Sequence, residues 1–269
     1  MPPHLSIVAI DLAKKVFYLV GSDTAGTILW RKRLTRHALM PCIAQLPPVR
    51  IGIEACGGAH YWARRFREHG HEVKLIAPQF VKPFVKSNQN DMRDAEAIAE
   101  AVTRPTMRFV STKDLAQHDI QALHRVRERL IGERTALVNA VHGLMHESGV
   151  VIAKGVSKFR QAVVEQLESD KDKLTTLSQE MFRTLVEEFA ALETQIAYYQ
   201  AKLESLATTH PEGQRFMTIP GIGPITATAL IAAVGDVGVF RNGRQFAAWL
   251  GLVPSPVKVL NFSAYNSTS

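Results

Sequence analysis

Up to about residue 110 the chain switches between β-branched apolar runs and short stretches of helical periodicity. Residues 5–10, 16–20 and 27–30 are apolar runs short enough to be strands. Gly21-Ser22-Asp23-Thr24-Ala25-Gly26 between the latter two is turn chemistry, which predicts an antiparallel meander. Residues 49–54 read as another strand, 60–69 as a helix and 72–77 as a strand closed by Pro78. A further helix is expected from Asp91 through Ala101. Strand and helix signals in this order predict an α/β domain with a mixed sheet over residues 1–110.

The period then changes. Leu123, Leu130, Leu137 and Leu144 recur at heptad spacing. Leu174, Leu177, Met181, Leu185, Phe189, Leu192, Ile196, Tyr199, Leu203 and Leu206 follow at intervals of three and four. Such a narrow apolar seam predicts long helices packed as a coiled coil over residues 111–210, broken at 149–155. Pairing between two chains and a hairpin within one chain give the same pattern, so both stand open. From Pro211, Ile219-Pro220-Gly221-Ile222-Gly223-Pro224 opens an apolar helix over 225–234, and a second helix is expected over 244–250. Residues 211–256 form a small all-α, helix-hairpin-helix-like region, and 257–269 lose helical periodicity as a divergent tail.

Composition narrows the classes. Apolar residues are 46% and charged residues 21%, ordinary for a globular protein, while the net charge of +7 leans toward a polyanionic partner. Cys42 and Cys56 make no C-x-x-C pair, which excludes a disulfide framework and a zinc ribbon and fits a reducing cytoplasm. The N-terminus has no basic region with an apolar run of signal-peptide length, and no apolar stretch has membrane length. A cytoplasmic protein without a membrane partner is expected.

Four acids carry the candidate chemistry. Asp11 and Glu54 end apolar strands, where a carboxylate has no packing role, and Ala55-Cys56-Gly57-Gly58 leaves room beside Glu54. Asp91 and Asp94 share one face at a helix start. Strand-end acids facing a helix pair make an oxygen-rich site suited to Mg²⁺ or Mn²⁺. Two such ions about 3.5–4 Å apart can clamp a scissile phosphate. Each acid can also be an ordinary surface residue or helix cap. Arg125, Arg127, Arg129 and Arg134 crowd one helix and can neutralise phosphates, or pair with Glu128 and Glu133 on a solvated face. Gly221 and Gly223 can let backbone N–H groups approach a phosphate, or merely cap a helix.

Val8-Ala9-Ile10-Asp11-Leu12-Ala13-Lys14, Gly52-Ile53-Glu54-Ala55-Cys56-Gly57 and Asn90-Asp91-Met92-Arg93-Asp94-Ala95 resemble the three acidic blocks of the Piv/MooV-like DEDD family of insertion-sequence transposases. The resemblance covers about residues 5–254. It implies an RNase H-like (RuvC-like) fold followed by a coiled coil, with Asp11, Glu54, Asp91 and Asp94 as the metal-binding tetrad. It also implies DNA as substrate, a structured guide RNA, and a homo-oligomer assembled through the coiled coil. Members of that family continue into a Ser-Ser-Gly-like block that supplies a serine nucleophile. Here the pattern breaks after Pro254, and none of Ser255, Ser263, Ser267 and Ser269 lies in such a context. No catalytic serine is assigned, and a chain that binds metal and DNA without completing recombination is the expectation. Two other readings are a RuvC-like junction nuclease and a non-catalytic DNA-binding remnant that pairs with full-length transposase. An actin-like ATPase is excluded, because Leu12-Ala13-Lys14-Lys15 offers no Gly-rich phosphate loop after Asp11.

Overall fold

The computed structural model describes residues 4–85, 91–153, 155–169, 171–234, 238 and 240–252. Six strands form one sheet in the order β3-β2-β1-β4-β5-β6: β1 (Ile7–Leu12), β2 (Val16–Ser22), β3 (Ile28–Thr35), β4 (Arg50–Glu54), β5 (Glu72–Ile76) and β6 (Phe109–Val110). The first three make the expected antiparallel meander, while β4 runs parallel to β1 and β5 parallel to β4. The sheet is therefore mixed, as predicted. β3 outruns the apolar stretch at 27–30 because Arg31, Lys32 and Arg33 continue it as a solvated edge strand, where apolar alternation is not required.

Helices cover both faces. α1 (Arg36–Ala44) and α2 (Ala59–Glu68) pack on the face carrying Val8, Ile10, Ile51 and Ile53. The short α3 (Pro78–Val81) and α4 (Asp91–Thr103) lie on the other, where Ile7, Ala9 and Val20 meet Ala95, Ile98 and Val102. α4 can approach closely because small residues lie beneath it. A Cβ added to Gly52 would come within 3.1 Å of the Val102 Cβ. α1 and α3 have no clear sequence signal, since Pro41 interrupts the first and Pro78 reads as a strand end.

Two long helices follow. α5 (Leu115–Glu147) starts with a capping box in which Asp114 and Gln117 satisfy one another's backbone N–H groups, and α7 (Thr176–Thr209) runs beside it. They pack within one chain, so the seam includes an intramolecular hairpin. α6 (Val156–Ser169) is inserted between them in sequence and adds Phe159, Val163 and Leu167 to the same core. The Phe159 and Phe189 rings lie 4.7 Å apart. The seam is not the simple leucine heptad. Leu130 and Leu137 are buried in it, but Leu123 joins a separate cluster with Leu203 and Ile231, and Leu144 is 43% exposed. A straight helix drifts about 20° per heptad, so Val141 and Met145 replace Leu144 on the buried side.

α8 (Pro211–Met217) and α9 (Pro224–Val234) close this part against α5 and α7, with His124 Nε2 3.0 Å from the buried Thr228 hydroxyl. By contacts the chain divides into Met1–Gly235 and Asp236–Ser269. The second unit contains α10 (Gly243–Trp249), capped by Asn242, and an aromatic cluster of Phe240, Phe246 and Trp249. Among the described residues, no helix is long and apolar enough to cross a membrane.

Candidate functional site

The parallel register of β1 and β4 sets Ile10 opposite Ile53, with Asp11 and Glu54 next along each strand. Side chains alternate between faces, so Ile7, Ala9 and Asp11 share a face with Gly52 and Glu54. That is the face covered by α4. On α4 the buried stripe runs through Ala95, Ile98, Ala101 and Val102. Asp91 and Asp94 continue it at one turn's spacing to the helix start, beyond the apolar contact. Carboxylates from two strands and one helix are thereby directed to one end of the β1–α4 interface.

Ligand oxygens of Asp11, Asp91 and Asp94 all lie within 4.8 Å of one another. Glu54 is outside that trio but within electrostatic reach of it. Burial, then the charges of Asp94, Asp91 and Glu54, push the Asp11 carboxyl up to about 6. Burial and Asp94 also raise Glu54, against an opposing pull from Lys82, and burial and Asp91 raise Asp94. Like charges held this closely cost free energy unless a proton or a cation intervenes. The donors are all carboxylate oxygens, without His or Cys, which suits a hard divalent ion such as Mg²⁺ or Mn²⁺. The residues present therefore fit such an ion.

Two neighbours carry no assigned role in the sequence pattern. Lys82 lies in a 3₁₀ turn after α3 and acts on Glu54 although the two are far apart in the chain. Cys56, in the small-residue loop after β4, has its thiol pushed up by burial and by Glu54 and Asp11.

The arginines of α5 divide into two groups. Arg134 donates to Glu193 of α7 at 2.6 Å, and Arg127 donates to Gln200 of α7 at 3.1 Å. These two tie the hairpin together. Arg129 is exposed and pairs with Glu133 on its own helix, as a solvated charged face would. Arg125 is exposed. Gly221 lies between α8 and α9 at φ 88°, a left-handed conformation that glycine adopts without strain. Gly223 precedes Pro224 at the start of α9, and a Cβ at either glycine would meet open space. The four serines at 255, 263, 267 and 269 lie outside the described residues.

Residues 8–149 match the family model of IS110-type DEDD transposases, described as transposase. Residues 213–258 match the transposase IS116/IS110/IS902 family. A probable family 20 transposase of Pseudomonas aeruginosa is 44% identical over 252 residues, covering 93% of this chain and 75% of the relative. The transposase for insertion sequence element IS1111A of Coxiella burnetii is 40% identical over 250 residues, covering 93% of this chain and 69% of that protein. The transposase for insertion sequence element IS1328 of Yersinia enterocolitica is 39% identical over 254 residues, covering 94% and 75% respectively. The chain belongs to the IS110/IS116/IS902 family of insertion-sequence transposases.

Proposed function

We propose that this chain acts on the DNA ends of an insertion sequence, and that Asp11, Asp91 and Asp94 hold divalent cations there with Glu54 as the fourth carboxylate. The observation that carries this reading is the meeting of three acids from β1 and α4 within 4.8 Å. A bound Mg²⁺ or Mn²⁺ would neutralise phosphate oxygens and favour the charged form of an attacking oxygen. The chain's own contribution is to fix the acids on rigid elements and to keep the adjoining loop small, with Gly57 and Gly58 after Glu54. Lys82 offsets part of the negative charge at Glu54.

The sheet order supports an RNase H-like reading of this part, because an antiparallel meander leads into parallel strands flanked by helices. The α5–α7 seam supports the coiled-coil reading. Leu177 at 76% and Met181 at 39% exposure leave apolar surface on α7 that supports self-association. A structured guide RNA remains a proposal from family likeness alone.

A recombination assay on a plasmid carrying paired insertion-sequence ends, with Mg²⁺ or Mn²⁺ and an alanine at each acid in turn, tests the reading. Metal-dependent engagement or breakage of the ends without completed exchange, lost in Asp11→Ala, Asp91→Ala and Asp94→Ala, is expected. Activity that survives these substitutions would overturn it.

A further inference from the structure

Where the sheet-bearing part passes into α5, a lysine with a buried stem brings its ammonium to the surface without a counter-charge among the described residues. Lys113 is 8% exposed. Its backbone is held from both sides by α2: its N–H donates to His60 Nδ1 at 3.1 Å, and its carbonyl accepts from Arg64 Nη1 at 2.7 Å. Because Nδ1 accepts that bond, the proton of the neutral ring is on Nε2, so His60 presents a donor. Lys113 forms no ion pair among the described residues. The adjacent acid, Asp114, is committed to capping α5, accepting the Gln117 N–H at 2.7 Å.

The groups around it are also basic. Lys113, Arg64 and His118 all act on His60 as like charges, and burial with these charges lowers its ring to about 4. Burial and Arg125 lower Lys113. Among the described residues, the charges acting on these two groups are basic. His118 and Arg125 are exposed and seven residues apart on α5, two turns along one face, so the cluster opens to solvent. An ammonium on a partly desolvated stem, set beside further cations, carries a repulsion that a bound anion would relieve. Such an arrangement stands as the unliganded half of an anion site.

We propose that Lys113, His60, Arg64, His118 and Arg125 form a phosphate-binding site for the backbone of duplex DNA, at the junction of α2 and α5. The inference rests on the DNA-acting reading above and adds a backbone contact outside the acidic cluster. α2 follows β4 through the four-residue loop 55–58, so the proposed clamp is built on the same connection that presents Glu54. Here it is the phosphate, not the base, that is held, so binding is independent of sequence.

The test uses the full chain, a fluorescein-labelled duplex DNA of arbitrary sequence, and no divalent metal. Lys113→Met retains the apolar stem without the ammonium, and Arg125→Ala alters an exposed side chain with little risk to folding. Each is expected to reduce the slope of log affinity against log salt by about 1, and the pair by about 2. Inorganic phosphate should raise the melting temperature of the wild type and leave that of Lys113→Met unchanged. In anion-free buffer Lys113→Met should melt above the wild type, since its unpaired charge is gone. Unchanged salt slopes in both variants would overturn the proposal. Weakened binding to duplex RNA with unchanged DNA affinity would overturn its assignment to DNA. Mn²⁺ binding by the acids should be unaffected in both variants, which separates failure of this site from failure of the metal-site reading.

Discussion

The carboxylate end of the sheet and the α5–α7 hairpin both carry charge, but the charges do different things. At the sheet, Asp11, Asp91 and Asp94 converge on one another, and Lys82 acts on the adjoining Glu54. On the hairpin, Arg134 and Arg127 find Glu193 and Gln200 on the facing helix, and Arg129 finds Glu133 on its own. Charge held by a partner on the same or the facing helix is structural, even where, as at Arg127 and Arg134, Nε itself makes no hydrogen bond. Charge that the fold concentrates and leaves unsatisfied calls for something from outside. On this criterion the acids, and Lys113 with Arg125, are the places where a ligand is expected.

The contrast can be tested from its strongest consequence downward. Phe159→Ala empties a fully buried position against Phe189 and should destabilise the protein by about 3–5 kcal/mol in urea denaturation. Metal affinity of the folded fraction should stay unchanged, because the helical core holds no ligand. Gly52→Val drives a side chain into Val102 and should cost about 1–3 kcal/mol. Unlike the phenylalanine change it should also weaken Mn²⁺ binding, because it displaces α4 from β1.

Proton linkage gives a smaller effect of known sign. The folded value of Asp11, about 6, lies above its ordinary 3.8, so the metal-free folded state retains a proton that the unfolded chain has lost. Stability should therefore fall as pH rises between those values, by on the order of 1 kcal/mol once partial exposure is discounted. Saturating Mg²⁺ should remove the fall, and Asp11→Asn should flatten it. Thermal melts from pH 4 to pH 7 measure it. Arg134→Ala, which loses the Glu193 pair, should cost about 1 kcal/mol or less, and Arg125→Ala nothing measurable. Equal losses in the two would erase the distinction between satisfied and unsatisfied arginines.

Much of the acidic site was legible in the sequence because it violates a strong local rule. Asp11 and Glu54 interrupt apolar strands, and parity along β1 and β4 follows from the two-residue repeat. That Asp11 joins Asp91 and Asp94 more tightly than Glu54 does was not legible, since it depends on how α4 settles over Ala9 and Gly52. The arginines were ambiguous for the opposite reason. A charged helix face has the same pattern whether it meets solvent, DNA or a neighbouring helix, and only the pairing of α5 with α7 separates Arg134 from Arg125. The heptad leucines showed that long helices pack but misplaced Leu144, because helical drift accumulates. Lys113 had no sequence signal at all. Its backbone is held by two hydrogen bonds to a helix far away in the chain.

Calorimetric titration of Mn²⁺ into the wild type and into Asp11→Ala, Asp91→Ala, Asp94→Ala and Glu54→Ala tests the central claim directly. Saturable binding should weaken by about tenfold or more for each member of the trio, and by less for Glu54→Ala. Affinity unchanged across the three aspartate variants, with the fold intact by circular dichroism, would contradict it.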